Sequence, residues 1–294
     1  MKLGIIGGTG VYNCGDKFSD LKEIAVSTPF GKPSDKIMTA SFDGVELFFL
    51  PRHAKGHTVM PSEINHKANI YAMKAIGVTH ILSLSAVGSL KEEYKPRDVV
   101  IIDQFFDRTK RNPMDHTFFG NGVVGHIPFG DPICPELASL AYGAAVKTAK
   151  KIAPETSVHK GGTYVNMEGP AFSTKAESKV YRMLGMDVIG MTNMGEAKLA
   201  REAGICYATV AFITDYDCWH SDFGSVTVEA IIEHITANKL KAYEIITNLA
   251  VEINNIPCKC SCAAASKTAI VTAAELIPEK TRNDLTVIFP TLKG

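Results

Sequence analysis

The chain has 294 residues, 46% of them hydrophobic, and its 31 Lys plus Arg balance 31 Asp plus Glu. That length and apolar content exclude a largely disordered chain and suit one large α/β domain over residues 1–294 better than two small ones. With no net charge there is no overall pull toward nucleic acid or an anionic membrane, so a small molecule is the expected partner.

The start of the chain turns glycine-rich before a signal-peptide core could form, and no run approaches bilayer-spanning length, which predicts a soluble, cytoplasmic protein. Seven cysteines are an odd number for a chain that can build its own core, which argues against a secreted disulfide framework.

Leu3-Gly4-Ile5-Ile6 reads as a short buried strand entering Gly7-Gly8-Thr9-Gly10, a turn whose backbone N–H groups can approach an anion. The dinucleotide fingerprint fails because Asn13 occupies its third glycine position, and no Gly-Lys-Ser/Thr follows, so a nicotinamide cofactor is disfavoured. Strand-like runs at 37–41 and 45–50 flank Asp43-Gly44, a hairpin turn signal, and the second delivers Pro51-Arg52-His53. Pro61-Ser62 predicts the start of a helix that Gly77 closes. A strand at 81–84 then runs into Ser85-Ala86-Val87-Gly88, read as a second small-residue turn.

Residues 105–133 lack a clear period and predict a long active-site loop holding His116 and His126. Pro135 opens a helix reaching Ile152, and 161–167 is the next strand. Thr174 and Glu177 have capping-box spacing before a helix to Leu184, followed by a strand at 188–191. Asn193 and Glu196 repeat that spacing before a short helix ended by Gly204. A strand at 207–214 and a long helix over 228–252 complete the pattern, with an extension from about 257. Alternating apolar strands and amphipathic helices predict a single α/β domain with a central mixed, largely parallel sheet flanked by helices.

The 207–214 strand ends in Asp215-Tyr216-Asp217. Acids two residues apart on a strand face one side and can converge on a proton-bearing ligand; a polar turn closing the strand is the alternative. Gly8-Thr9, Arg52-His53, Ser85-Ala86 and Thr192 together offer backbone donors, hydroxyls and one guanidinium, an inventory suited to free phosphate. Each also has a structural reading: a surface pair, a helix cap, a core hydroxyl. His53, His57 and His66 do not make a zinc site, since Gly56 and Pro61 oppose a helix there and H-E-x-x-H is absent.

In family order, the segments Gly4 to Gly10, Pro51-Arg52-His53, Met167-Glu168-Gly169-Pro170, Phe172 to Glu177, Met191-Thr192-Asn193-Met194 and Thr214 to Trp219 carry a resemblance. The chain resembles the S-methyl-5′-thioadenosine phosphorylases, within the trimeric purine nucleoside phosphorylase superfamily. The resemblance implies a nucleoside phosphorylase fold and phosphate-dependent cleavage of S-methyl-5′-thioadenosine. It also implies no metal or organic cofactor, with inorganic phosphate as co-substrate, in a homotrimer or dimer of trimers. By matching motif, Thr9, Arg52, His53, Ser85, Ala86 and Thr192 hold phosphate, Phe172 stacks on the purine, Met191 underlies the ribose, and Asp215 and Asp217 face the base. In 6-oxopurine relatives a Glu follows the stacking Phe and the later strand ends in Asn; here those places hold Ser173 and Asp215, which favours adenine. Val228, Ile231 and Ile232, with His57 and His126 nearby, match the lining of a methylthio pocket, or are core residues. The resemblance also lets the tail complete a neighbouring subunit's pocket. Cys258, Cys260 and Cys262 lack a fourth ligand nearby in sequence, so zinc is disfavoured there; reduced thiols are expected in the cytosol, with disulfides that also involve Cys134 and Cys206 the alternative for a hyperthermophile source.

Overall fold

The computed structural model describes residues 1–8, 18–220, 228–255 and 259–292, the side chains of 228–232, 235 and 255 excepted. Among these residues one sheet runs through β1 (Lys2–Gly7), β2 (Ser19–Ile24), β3 (Ile37–Phe42), β4 (Val45–Pro51), β5 (His80–Ser89), β6 (Val99–Ile101), β7 (Gln104–Arg108), β8 (Val158–Lys160), β9 (Thr163–Met167), β10 (Val188–Gly190) and β11 (Cys206–Asp215). The helices are α1 (His66–Ala75), α2 (Pro135–Ile152), α3 (Lys175–Met183), α4 (Asn193–Glu202), α5 (Val228–Asn255) and α6 (Glu279–Leu285). Six strand pairings are parallel and four antiparallel, the mixed, largely parallel sheet expected.

β1 is central because its apolar run can be covered on both faces. Leu3, Ile5 and Ile6 are buried, and a Cβ on Gly4 would stand 3.0 Å from Val78 Cγ1, so the strand lies hard against the segment after α1. β3 and β4 form the predicted hairpin. Asp43 and Gly44 both take positive φ, +49° and +75°, as a two-residue type I′ turn requires. α3 begins as predicted: Glu177 N donates to Thr174 Oγ1 (3.2 Å) while Thr174 N donates to Glu177 Oε2 (2.8 Å). α2 packs on α5 and both lie over β11, whereas α1 packs on α4. No described helix is long and apolar enough to cross a membrane.

The sheet forks along β5. Its first residues, 80–83, pair with β1; Gly88 and Ser89 pair antiparallel with β10; and β11 follows β5 in parallel from His80 to Gly88. Ser85 to Gly88 is therefore strand, not the expected turn, because two neighbours supply ladder partners there. The helix expected from Pro61 starts later: 61–63 form a 3-10 turn, and α1 is capped by Asn65, whose Oδ1 accepts from Ala68 N at 3.0 Å. The loop expected over 105–133 contains most of β7 and a 3-10 turn at 113–116. His116 lies in that turn, buried against His66 with their rings 5.3 Å apart.

From 259 to 292 the chain packs on its own body. Val271 N donates to Val124 O (2.8 Å), His126 N donates to Ala269 O (2.9 Å), and Phe289 stacks on Phe119 at 5.3 Å.

Candidate active site

The two acids meet over β5. Asp215 is in register with Gly88, and a Cβ on Gly88 would stand 2.8 Å from Asp215 Oδ1, 3.1 Å from Ile189 Cγ2 and 3.4 Å from Asp217 Cβ. The missing side chain is what lets the Asp215 carboxyl lie against β5. Their convergence does not come from strand alternation: the register shifts after Ile213, β11 ends at Asp215, and Asp217 sits in the left-handed region with φ +49°.

The acids differ in their hydrogen bonding. Asp215 Oδ2 accepts from Thr214 Oγ1 (2.7 Å) and Oδ1 from Asp217 N (2.8 Å). Asp217 Oδ2 is buried with no hydrogen-bond partner among the described residues. Burial raises the pKa of both from the ordinary aspartate value, opposed at Asp215 by those two donors and at Asp217 by the Ser178 hydroxyl, and reinforced at Asp217 by the Asp215 charge. Two acids so placed favour sharing one proton.

Beside them, Ala86 is exposed in mid-strand and Ser85 Oγ meets Tyr164 Oη at 3.3 Å. β10 runs back along the end of β5 and delivers Met191 and Thr192 to this region, Thr192 being the N-cap of α4. Helix N-termini present unsatisfied N–H groups and favour anions. Met191 lies over Gly169, where a Cβ would be 2.6 Å from its Sδ.

Arg52 is more committed than its position suggested. It is 2% exposed, its Nε donates to Glu196 Oε1 (2.5 Å), and Nη2 donates to Ser83 Oγ (2.6 Å) and Glu196 Oε2 (3.2 Å). Nη1 donates to Leu84 O at 3.1 Å. Burial works against its charge, but Glu196 more than offsets this and holds the pKa above the ordinary arginine range. Arg52 therefore brings little uncompensated positive charge. Glu196 is the residue that sequence reasoning missed: its spacing from Asn193 reads as a capping box, yet its carboxylate turns inward and also accepts from Tyr207 Oη at 2.9 Å.

His53 Nδ1 faces Val59 O at 2.9 Å, so the neutral ring donates from Nδ1 and leaves Nε2 as an acceptor. Burial, with help from Arg52, lowers its pKa to about 4. His57 is exposed and stacks on His53 at 4.4 Å. Phe172 is exposed, 43%, and Ser173 O accepts from Cys218 Sγ at 3.2 Å, which ties the 172–173 turn to the residue after Asp217. His126 is exposed, and no hydrogen bond among the described residues links its ring to the acids. Thr9 lies outside the described residues, as do the side chains of Val228, Ile231 and Ile232. The structure thus joins Ser85, Ala86, Met191, Thr192, Asp215 and Asp217 along one half of β5, with Arg52 and His53 at the end of β4.

Residues 2–250 match the family described as the phosphorylase superfamily. The chain is 52% identical over 288 residues to the S-methyl-5′-thioadenosine phosphorylase of Gloeobacter violaceus, covering 98% of this chain and 95% of that one. A methylthioadenosine phosphorylase from an Antarctic soil metagenomic library superposes with a TM-score of 0.91 at 42% identity, covering 98% of each chain. The Schistosoma mansoni methylthioadenosine phosphorylase in complex with adenine superposes with a TM-score of 0.81 at 36% identity, covering 90% of this chain and 96% of that chain.

Proposed function

This chain belongs to the phosphorylase superfamily, and we propose that it cleaves S-methyl-5′-thioadenosine with inorganic phosphate, releasing adenine and S-methyl-5-thio-α-D-ribose 1-phosphate. The observation that carries the adenine half is the buried, unpartnered Oδ2 of Asp217 beside an Asp215 whose oxygens are both occupied. A vacant carboxylate oxygen accepts a 6-amino N–H and repels a 6-oxo group.

Breaking the glycosidic bond leaves positive charge on the sugar and drives electrons into the purine. In the free site the donors on Asp215 favour the shared proton lying on Asp217; when the 6-amino group donates to Asp217 the proton passes to Asp215, which gives it to N7. Phosphate attacks the anomeric carbon and stabilises the sugar cation, and positioning supplies much of the rest. Ser85, the backbone at Ala86 and Thr192, the α4 N-terminus, Thr9 and one Arg52 Nη1–H hold the phosphate, mostly through neutral donors. Neutral His53 accepts a phosphate O–H at Nε2. Phe172 stacks on the base, Ser173 borders it, and Met191 lies under the ribose. Val228, Ile231 and Ile232, with His57 and His126, enclose the methylthio group. No step calls for a metal or organic cofactor, and the reading includes a cytoplasmic homotrimer or dimer of trimers.

Adenine release from methylthioadenosine, with and without phosphate and beside inosine and adenosine, tests the reading. Phosphate-dependent release, with inosine a poor substrate, is expected. Release without phosphate would make the chain a nucleosidase, preference for inosine a 6-oxopurine enzyme, and binding without turnover a regulatory module.

A further inference from the structure

At the opposite end of β11 from the acids, four cysteines that the proposed reaction does not use come together. The sulfurs of Cys134, Cys206, Cys260 and Cys262 all lie within 4.8 Å of one another. Cys134, Cys206 and Cys262 are buried, and Cys260 is partly so. The sequence shows three thiols at 258, 260 and 262 with no fourth ligand; the fold supplies two more from 134 and 206, while Cys258 lies outside the described residues.

Regular elements hold each position. Cys134 is the N-cap of α2, and its backbone N–H donates to Tyr207 O at 2.8 Å, fixing it beside the start of β11. Cys206 is the first residue of β11, and its N–H donates to Thr79 O at 3.0 Å. Cys262 opens a 3-10 turn whose next residue, Ala263, lies against Gly204: a Cβ on that glycine would meet Ala263 O at 3.4 Å. Lys259 N donates to Glu136 Oε2 at 2.8 Å, which docks the approach to Cys260 on the first turn of α2.

We propose that Cys134, Cys206, Cys260 and Cys262 bind one zinc ion as a tetrathiolate that fastens the C-terminal segment to α2 and β11. A tetrahedral site with zinc about 2.3 Å from each sulfur sets the sulfurs about 3.8 Å apart, so the four need only small adjustments to close on the ion. Two disulfides would need two separate pairs, whereas here every sulfur is near all the others. Four soft donors with no open position make a structural site rather than a catalytic one. Binding releases the thiol protons and couples metal uptake to docking of the tail. The tail then continues to its contacts with Val124 and His126, so the site also anchors the strand-like segment beside it.

The full chain, purified anaerobically without chelators, is analysed for metal by elemental mass spectrometry. One zinc per chain is expected, falling to background in Cys260→Ser and in Cys262→Ser and staying at one in Cys218→Ser. Exchange with cobalt(II) is expected to give the visible bands and sulfur-to-cobalt charge transfer of a tetrahedral tetrathiolate, which keeps the test valid if a serine variant fails to fold. Zinc-free chain from zinc-supplemented cells, with the four thiols either reduced and reactive or joined as two disulfides, would overturn the proposal. Iron in place of zinc would overturn the metal assigned.

Discussion

The backbone N–H of Asp217 donates to Oδ1 of Asp215 at 2.8 Å, so the second acid orders the first while keeping its own Oδ2 vacant. The assigned role of that oxygen is to accept from the adenine amino group. Asp217→Asn keeps a residue that tolerates the left-handed backbone but allows an amide NH₂ to meet the amino group. A fall of roughly 10- to 100-fold in kcat/KM for methylthioadenosine is expected, the worth of a hydrogen bond to a charged group. Unchanged kcat/KM would remove Asp217 from base recognition.

Gly88 makes the pairing possible. In Gly88→Ala the new methyl meets Asp215 Oδ1 and Ile189, so Asp215 must move. We expect a stability loss of about 1–3 kcal/mol in denaturant unfolding, the usual range for overpacking, and a much larger proportional loss of adenine release. Activity at the parent level would mean the acids need not approach β5.

Arg52 and Glu196 form a buried pair, and removing one partner strands the other's charge. Glu196→Gln is expected to cost roughly 3–5 kcal/mol in denaturant unfolding. Replacing both, as Arg52→Met with Glu196→Met, should recover most of that stability without restoring the parent KM for phosphate. Parent KM in the double variant would exclude Arg52 from phosphate binding.

Glu202 gives a stability signature in pH. Burial raises its pKa from 4.5 to about 7, against the donors Thr117 and Phe118. The folded state therefore favours the protonated acid: its contribution is fully present below the unfolded pKa and is lost as pH rises through about 7. Glu202→Gln lacks this titration. The stability difference should swing toward the variant by up to about 3 kcal/mol between roughly pH 4.5 and pH 8. A difference that stays flat with pH would contradict the shift.

Much of this is legible in the sequence itself. The Asp43-Gly44 hairpin, the Thr174 to Glu177 cap and the α2 start at Pro135 rest on local chemistry, and local chemistry is what a sequence displays. Ser85 to Gly88 misled because small residues look like a turn until β10 and β11 arrive to pair with them. Glu196 misled because inward and outward orientations of a polar side chain leave the same mark in a sequence. The thiol cluster was half visible: Cys260 and Cys262 are neighbours in sequence, but Cys134 and Cys206 reach them only through the α2 and β11 packing.

The central claim is that acids at 215 and 217 choose adenine and that Asp215 supplies the proton. It is tested most directly by steady-state kinetics of Asp215→Asn on methylthioadenosine and inosine, phosphate being saturating. The account predicts loss of most activity on methylthioadenosine and a shift of the remaining activity toward inosine, whose 6-oxo group an amide can serve. Unchanged kinetics with both substrates would contradict it.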